Sequence, residues 1–416
     1  MGLNIERIGG LLLIAAVVSM LARRLRLPYT VGLVFAGAAV ALFHPPFEIT
    51  LTKELIFYAF LPPLIFEAAF QMRWEGVKKD LPVTLTLATL GMIVSAAAVT
   101  AGTVWLLHWT WQPALLLGVL ISATDPVSVI ATFNSAGVHG RLASLVEMES
   151  LFNDGTATVL FGVTIAAVGG GAITGGGVLL SFLVTVAGGI ACGIVVGYGA
   201  LLLIGHTEDH LVEITFTTVA AYGSFLVAEH FHLSGILATL TAGLVLRNVR
   251  GLGAITDAGR DAIQAFWEYA GFVVNSLIFL LIGMPLAHED FRGMGGAVAV
   301  ITILVLAGRA AAVYGCCALF ARVPALRVTW AHQHILFWGG LRGALALALA
   351  LELPAGMPLR DTVITVTFGM VVFSVVAQGL TMPPLLVLLG EIAPLAKRGA
   401  GAKPPDAAPE RAAPPG

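Results

Sequence analysis

Long apolar runs, parted only by short polar turns, follow one another along nearly the whole chain. A hydrocarbon core about 30 Å thick takes roughly 17–25 helical residues per span. Lipid offers no water to a backbone that is neither helical nor closed into a barrel. Strand-type alternation is absent and Ala and Leu dominate the runs, so the spans read as helices. About thirteen are expected, over 8–22, 28–43, 54–71, 81–107, 113–133, 144–169, 178–204, 211–231, 235–246, 266–287, 296–320, 330–352 and 363–390. The ninth is too short to cross alone. With 58% hydrophobic and 11% charged residues and a mean hydropathy of +0.94, the chain lacks the polar surface to coat a soluble globule. The expected fold is an all-α polytopic membrane protein.

Charge is unevenly distributed although the net value is only −2. Arg23, Arg24, Arg26, Arg73, Lys78, Lys79, Arg141, Arg247, Arg250, Arg260, Arg322, Arg327, Lys397, Arg398, Lys403 and Arg411 fall in alternate loops. Arg7, Lys53, Arg292 and Arg360 lie on the other side, and Arg309 and Arg342 lie inside spans. Positive loops stay cytoplasmic, which puts the carboxyl end inside and, with an odd number of crossings, the amino end outside. The bias needs no nucleic-acid partner. Cys192, Cys316 and Cys317 fall within spans and read as small core residues, since no metal-ligand spacing or disulfide framework fits them. The amino end lacks the pattern of a removable signal peptide, so the first span is expected to be kept. From 393 to 416 the chain turns to Ala, Pro, Gly and charge, the composition of a disordered cytoplasmic tail.

Against this background the polar residues inside spans stand out. A carboxylate at mid-membrane is unfavourable by on the order of 2.5–3.5 kcal/mol on insertion scales, so it faces a cavity or a partner. The sixth span carries Glu149-Ser150-Leu151-Phe152-Asn153-Asp154. At helical spacing Ser150 and Asp154 share one face, and Glu149 and Asn153 a neighbouring one. The fifth span holds Thr124-Asp125-Pro126. The proline removes a backbone donor and biases Asp125 away from helical angles, so the helix is expected to break there and expose carbonyls and helix ends to a cation. A plainer role for Asp125 is to cap the second half-helix, and the two roles are compatible. In the third span Glu67 follows the double proline Pro62-Pro63. It reads either as a cavity carboxylate or as an interfacial acid reaching headgroups.

Arg309, in the eleventh span, needs an anion, and Glu149 is the first candidate. Arg342, in Gly339-Gly340-Leu341-Arg342-Gly343, sits among glycines that should break the twelfth span. The fourth span reads as featureless, Asn275 as packing glue between helices, and Glu213 and Glu229 as interfacial. His206, His210, His332 and His334 lie at cytoplasmic turns and titrate in a useful range, though loop histidines are commonly ordinary polar residues.

Gly32-Leu33-Val34 recurs as Gly243-Leu244-Val245 and Leu64-Ile65-Phe66 as Leu277-Ile278-Phe279, while the breaks at Asp125 and Arg342 fall at nearly the same interval. An odd number of spans separates the partners, so the two repeats are inverted across the membrane. The repeats are expected at about 8–169 and 211–390, joined by a linker helix at 178–204, within a transmembrane domain of 1–392. Crossed broken helices between such repeats form the substrate site of many transporters.

In this order and spacing, Phe60-Leu61-Pro62-Pro63-Leu64-Ile65-Phe66-Glu67, Thr124-Asp125-Pro126, Glu149-Ser150 with Asn153-Asp154, Gly339-Gly340-Leu341-Arg342-Gly343 and Gln378-Gly379-Leu380-Thr381-Met382-Pro383-Pro384 resemble the monovalent cation:proton antiporter-1 family, the NhaP and NHE class. Arg247 departs from the family pattern, which has a small residue there. The resemblance runs from about residue 8 to residue 390. It implies thirteen helices in two inverted six-helix repeats, a homodimer, no cofactor, and exchange of a monovalent cation for a proton. Asp154 would bind cation or proton in turn, with Ser150, Thr124, Asp125 and Glu67 completing or shaping the site. Asn153 stands where electrogenic relatives carry a second Asp, which implies electroneutral exchange of Na⁺, or Li⁺, for H⁺. Arg309 would clamp Glu149, and Arg342 would neutralise half-helix carbonyls at the crossing. Two other readings stay open at this point: K⁺/H⁺ exchange by the same mechanism, and an intramembrane aspartyl protease using Asp125 and Asp154.

Overall fold

The computed structural model describes residues 5–25, 27–43, 51–169, 175–249, 255–286 and 295–392. The expected tail at 393–416 and the Pro-rich turn at His44-Pro45-Pro46 lie outside the described residues. Helices make up the described chain: α1 Ile5–Leu25, α2 Tyr29–Phe43, α3 Leu55–Gln71, α4 Trp74–Leu107, α5 Trp111–Leu120, α6 Val127–Ala136, α7 Arg141–Val168, α8 Gly175–Ile204, α9 His210–His230, α10 Gly235–Asn248, α11 Asp257–Leu286, α12 Gly295–Leu319, α13 Trp330–Trp338, α14 Ala344–Leu351 and α15 Arg360–Leu388. Among the described residues, seven helices are long and apolar enough to cross a membrane, and five shorter apolar ones stand among them. Side chains such as Leu13, Trp105, Leu180 and Val195 face outward. Buried Thr84, Ser95, Thr217 and Ser224 face inward, where a hydroxyl finds a carbonyl more readily than in lipid.

Two rods are interrupted. Between α5 and α6 the chain leaves helical geometry over 121–126, and Asp125 caps α6 by accepting the amide of Val127 at 2.9 Å. Between α13 and α14 it does so over 339–343. The two gaps meet: the Asp125 amide donates to the Leu341 carbonyl at 2.7 Å in an isolated antiparallel bridge. Gly343 is required at this crossing, because a Cβ there would run into the Asp125 side chain. Gln378 of α15 donates to the Trp338 carbonyl at 3.0 Å and so satisfies the exposed end of α13. The crossing thus brings together the breaks expected in the fifth and twelfth spans.

Elsewhere, close approach relies on small residues. Gly37 of α2 and Gly283 of α11 lie against each other's helices, and a Cβ on either would strike the Leu280 or the Val34 carbonyl. In α3 a π-helical turn over Leu55–Phe60 precedes Pro62 and Pro63, and α15 has a π-helical turn over Ser374–Gln378 before Pro383 and Pro384. A further π-helical turn lies in α4 over Leu87–Gly91; each is a single widened turn inside an α-helix.

Some expected boundaries move. The fourth span is not featureless: α4 begins at Trp74, and Asp80 within its first turns is buried against Arg141 of α7 at 2.8 Å. α11 likewise begins at Asp257, well before the expected 266. Hydropathy misses such turns because they are polar: Asp80 is covered by a neighbouring helix, while Lys78, Lys79 and Asp261 are exposed.

Candidate functional site

The gap between α5 and α6 lies against the middle of α7, and hydroxyl and amide groups link them. Thr124 Oγ1 and Ser150 Oγ share a hydrogen bond of 3.1 Å. Asn153 Nδ2 donates to the Ser122 carbonyl at 3.1 Å and to Thr124 Oγ1 at 3.2 Å. These contacts hold the unwound carbonyl end of α5 on one face of α7. Asp154, the next residue, has a buried Oδ1 with no hydrogen-bond partner among the described residues.

Glu149 points to the neighbouring side, into a bidentate pair with Arg309 of α12: Nη1 to Oε1 at 2.6 Å and Nη2 to Oε2 at 2.9 Å. Arg309 Nη2 also donates to the Leu336 carbonyl of α13 at 2.8 Å. Gly340 leaves room for the guanidinium, since a Cβ there would stand 2.5 Å from its Nε. One buried arginine thus ties α7, α12 and α13 together. Arg342, 1% exposed, donates through Nη1 to the Gly340 carbonyl at 2.9 Å. It satisfies one carbonyl at the crossing, on its own strand of the gap.

A cavity of about 1020 Å³ opens beside this network. Thr124, Asp125 and Asp154 line it, as do Glu67, Glu147, Glu268 and Asn275. Glu67 is therefore a cavity carboxylate, held by Gln71 at 2.5 Å and by the close approach of Gly271. Gly271 lies one turn from Glu268 on α11, so Glu67 stands on the Glu268 side of the cavity it shares with Asp154. Ser128 of α6 bonds Thr30 of α2 at 2.7 Å, which ties α2 to the second half of the broken helix.

Two residues differ from their sequence reading. Glu213 is fully buried, not interfacial, and accepts from the Thr256 amide at 3.4 Å just ahead of α11. Asn275 makes no interhelical hydrogen bond among the described residues and lines the cavity. Glu147 escaped notice in the sequence. Its signal was there, because seven residues, two helical turns, put it on the face of Asp154. Attention to the denser stretch from Glu149 onward hid it. Arg247, the departure from the family pattern, lies over the Phe70 ring at 5.7 Å.

A helical membrane protein whose two broken helices cross beside a buried carboxylate in a water-accessible cavity has the construction of a secondary transporter. The family model described as sodium/hydrogen exchanger, transmembrane, matches residues 11–388. The Na⁺/H⁺ antiporter ApNhaP of Aphanothece halophytica is 37% identical over 90% of this chain and 72% of its own. NhaH of Halobacillus dabanensis is 34% identical over 92% and 97%. The solved structure of the sodium proton antiporter MjNhaP1 from Methanocaldococcus jannaschii superposes with a TM-score of 0.72 at 19% identity, covering 93% of this chain and 98% of that one. The chain belongs to the sodium/hydrogen exchanger family and is a multi-pass membrane transporter, not an enzyme. The intramembrane protease reading is thereby overturned. That reading would also need two equivalent aspartates, and Asp125 is engaged as a helix cap while Asp154 Oδ1 has no partner among the described residues.

Proposed function

We propose that this protein exchanges Na⁺, and Li⁺ with it, for H⁺ in an electroneutral one-for-one cycle, with Asp154 holding cation and proton in turn. The observation that carries the reading is the unpartnered Asp154 oxygen, placed in the cavity beside the Thr124, Ser150 and Asn153 network. Desolvation favours the neutral form of a carboxylate and a bound cation favours the charged form, so the two ligands exclude each other at one group. Coupling needs no second titrating residue. Thr124, Ser150 and Asp125 supply neutral and charged oxygens around the ion, and Glu67 shapes the approach. Glu149 is neutralised by Arg309, and Asn153 carries no charge, which leaves Asp154 as the one group that changes protonation in the cycle.

Its relatives include the Na⁺/H⁺ antiporters ApNhaP of Aphanothece halophytica and NhaG of Bacillus atrophaeus, and that similarity favours Na⁺ over K⁺. Loop charge supports an outside amino end and a cytoplasmic carboxyl end. A homodimer is part of the same proposal.

Reconstitution in liposomes tests the central assignment. Asp154→Asn should abolish Na⁺-driven proton movement while the purified protein keeps the melting behaviour of the wild type. Wild-type exchange by the folded variant would sink the reading. A parallel scan of Na⁺, Li⁺ and K⁺ decides selectivity, and K⁺ driving the faster exchange would replace Na⁺ as substrate.

A further inference from the structure

The cavity holds carboxylates in two groups, and the exchange cycle uses only the inner one. Asp154 and Asp125 lie at the helix crossing. Glu67 on α3, Glu147 on α7 and Glu268 on α11 form the outer group, within electrostatic reach of one another through Glu67. Glu268 and the adjoining Gln71 are exposed, which marks this as the open end. No Lys, Arg or His lines the cavity among the described residues, so these acids have no fixed counter-ion there. They also do not converge: no group of three acidic, His or Cys side chains among the described residues could hold a metal ion. The arrangement therefore suits a hydrated monovalent ion in passage better than a chelated divalent one.

Glu147 is the member that connects the two groups. It is half-buried and has no hydrogen bond or ion pair among the described residues. Two turns of α7, about 10 Å, separate it from Asp154, with Leu151 between them on the cavity wall. An independent feature stands on α11. Asn275, 8% exposed and without a partner among the described residues, faces the cavity. It lies two turns, about 10 Å, further along α11 than Glu268. An amide oxygen there offers a neutral ligand between the outer acids and the crossing.

We propose that Glu147 is an outer cation station, a carboxylate that draws the monovalent cation from water and passes it past Asn275 to Asp154. The assignment rests on Asp154 being the inner site. Neutralising Glu147 removes one charge at about 10 Å, which at the dielectric of a partly wet cavity changes cation occupancy by roughly two- to tenfold.

The test is Na⁺/H⁺ exchange in liposomes by Glu147→Gln and Glu147→Asp, each titrated with Na⁺ at low and high concentrations of choline chloride. Expected for Glu147→Gln is a KM for Na⁺ raised about two- to tenfold at low salt, a kcat within about twofold of wild type, and a smaller KM difference at high salt as screening replaces the lost charge. Glu147→Asp, which keeps the charge, should restore most of the KM. An unchanged KM in Glu147→Gln overturns the proposal. So does an equal loss in both variants through kcat, which is what a packing role would produce. If the wild type fails to exchange Na⁺, the antiporter reading falls separately, and ²²Na⁺ binding then decides the station. Weak binding retained by Asp154→Asn and lost in Asp154→Asn/Glu147→Gln supports it, and binding equal in the two overturns it.

Discussion

At the scale of single residues, what matters is which buried polar atoms have partners. Glu149 and Arg309 satisfy each other with two short bonds, and their low exposure, 2% and 7%, makes the pair intolerant of half-removal. Breaking such a pair by deleting one member costs about 3–5 kcal/mol, because the other charge is left buried alone. Arg309→Ala is therefore expected to lower thermal stability by about that much, measured by melting of the detergent-solubilised protein. The double variant Glu149→Leu/Arg309→Met should recover much of the loss, and a double variant no better than the single one would contradict this account. The polar stripe on α7 was legible from helical spacing alone, yet spacing could not say which member meets which neighbour. Glu147 shows the limit: its place on the Asp154 face was computable, but its value came from a cavity wall that α3, α6, α11, α14 and α15 help to complete.

At the scale of elements, the two gaps and the glycine contacts decide how helices approach. Gly37 and Gly283 let α2 and α11 touch backbone to backbone. Gly283→Ala would force the helices apart, and overpacking of this kind costs about 1–3 kcal/mol. A melting temperature unchanged from wild type would show that α11 moves freely there. Gly343→Ala is expected to act differently, because its methyl group meets Asp125. It should disturb the bridge between Asp125 and Leu341 and reduce exchange more than it reduces stability, as read by transport against melting on the same preparation. Proline and glycine made the breaks in the fifth and twelfth spans legible. The π-helical turns in α3, α4 and α15 were not, because a widened turn leaves composition unchanged and is set by what packs around it.

At the scale of the whole molecule, the ion pair of Lys53 and Glu352 at 2.7 Å joins the start of α3 to the end of α14, at the end of the bundle away from exposed Gln71. Both side chains are about a third exposed, so Lys53→Ala should cost no more than about 1 kcal/mol, checked by melting. Electroneutral exchange at one carboxylate makes two further demands. The rate should not respond to a clamped membrane potential. The apparent KM for Na⁺ should rise with falling pH by at most about tenfold per unit, the limit for one competing proton. A steeper dependence or a voltage-sensitive rate would point to a second titrating group.

The chain by itself determined that it folds as membrane helices and where two of those helices break. Both follow from local physics: apolar length against bilayer thickness, and proline and glycine against helix hydrogen bonding. Only the tertiary structure decided how the acids divide. It set Asp154 beside Asp125 at the crossing, gave Glu149 to Arg309, and grouped Glu67 with Glu147 and Glu268 at the mouth of the cavity. Those distinctions depend on which faces of α3, α7 and α11 come together, and no single helix encodes that.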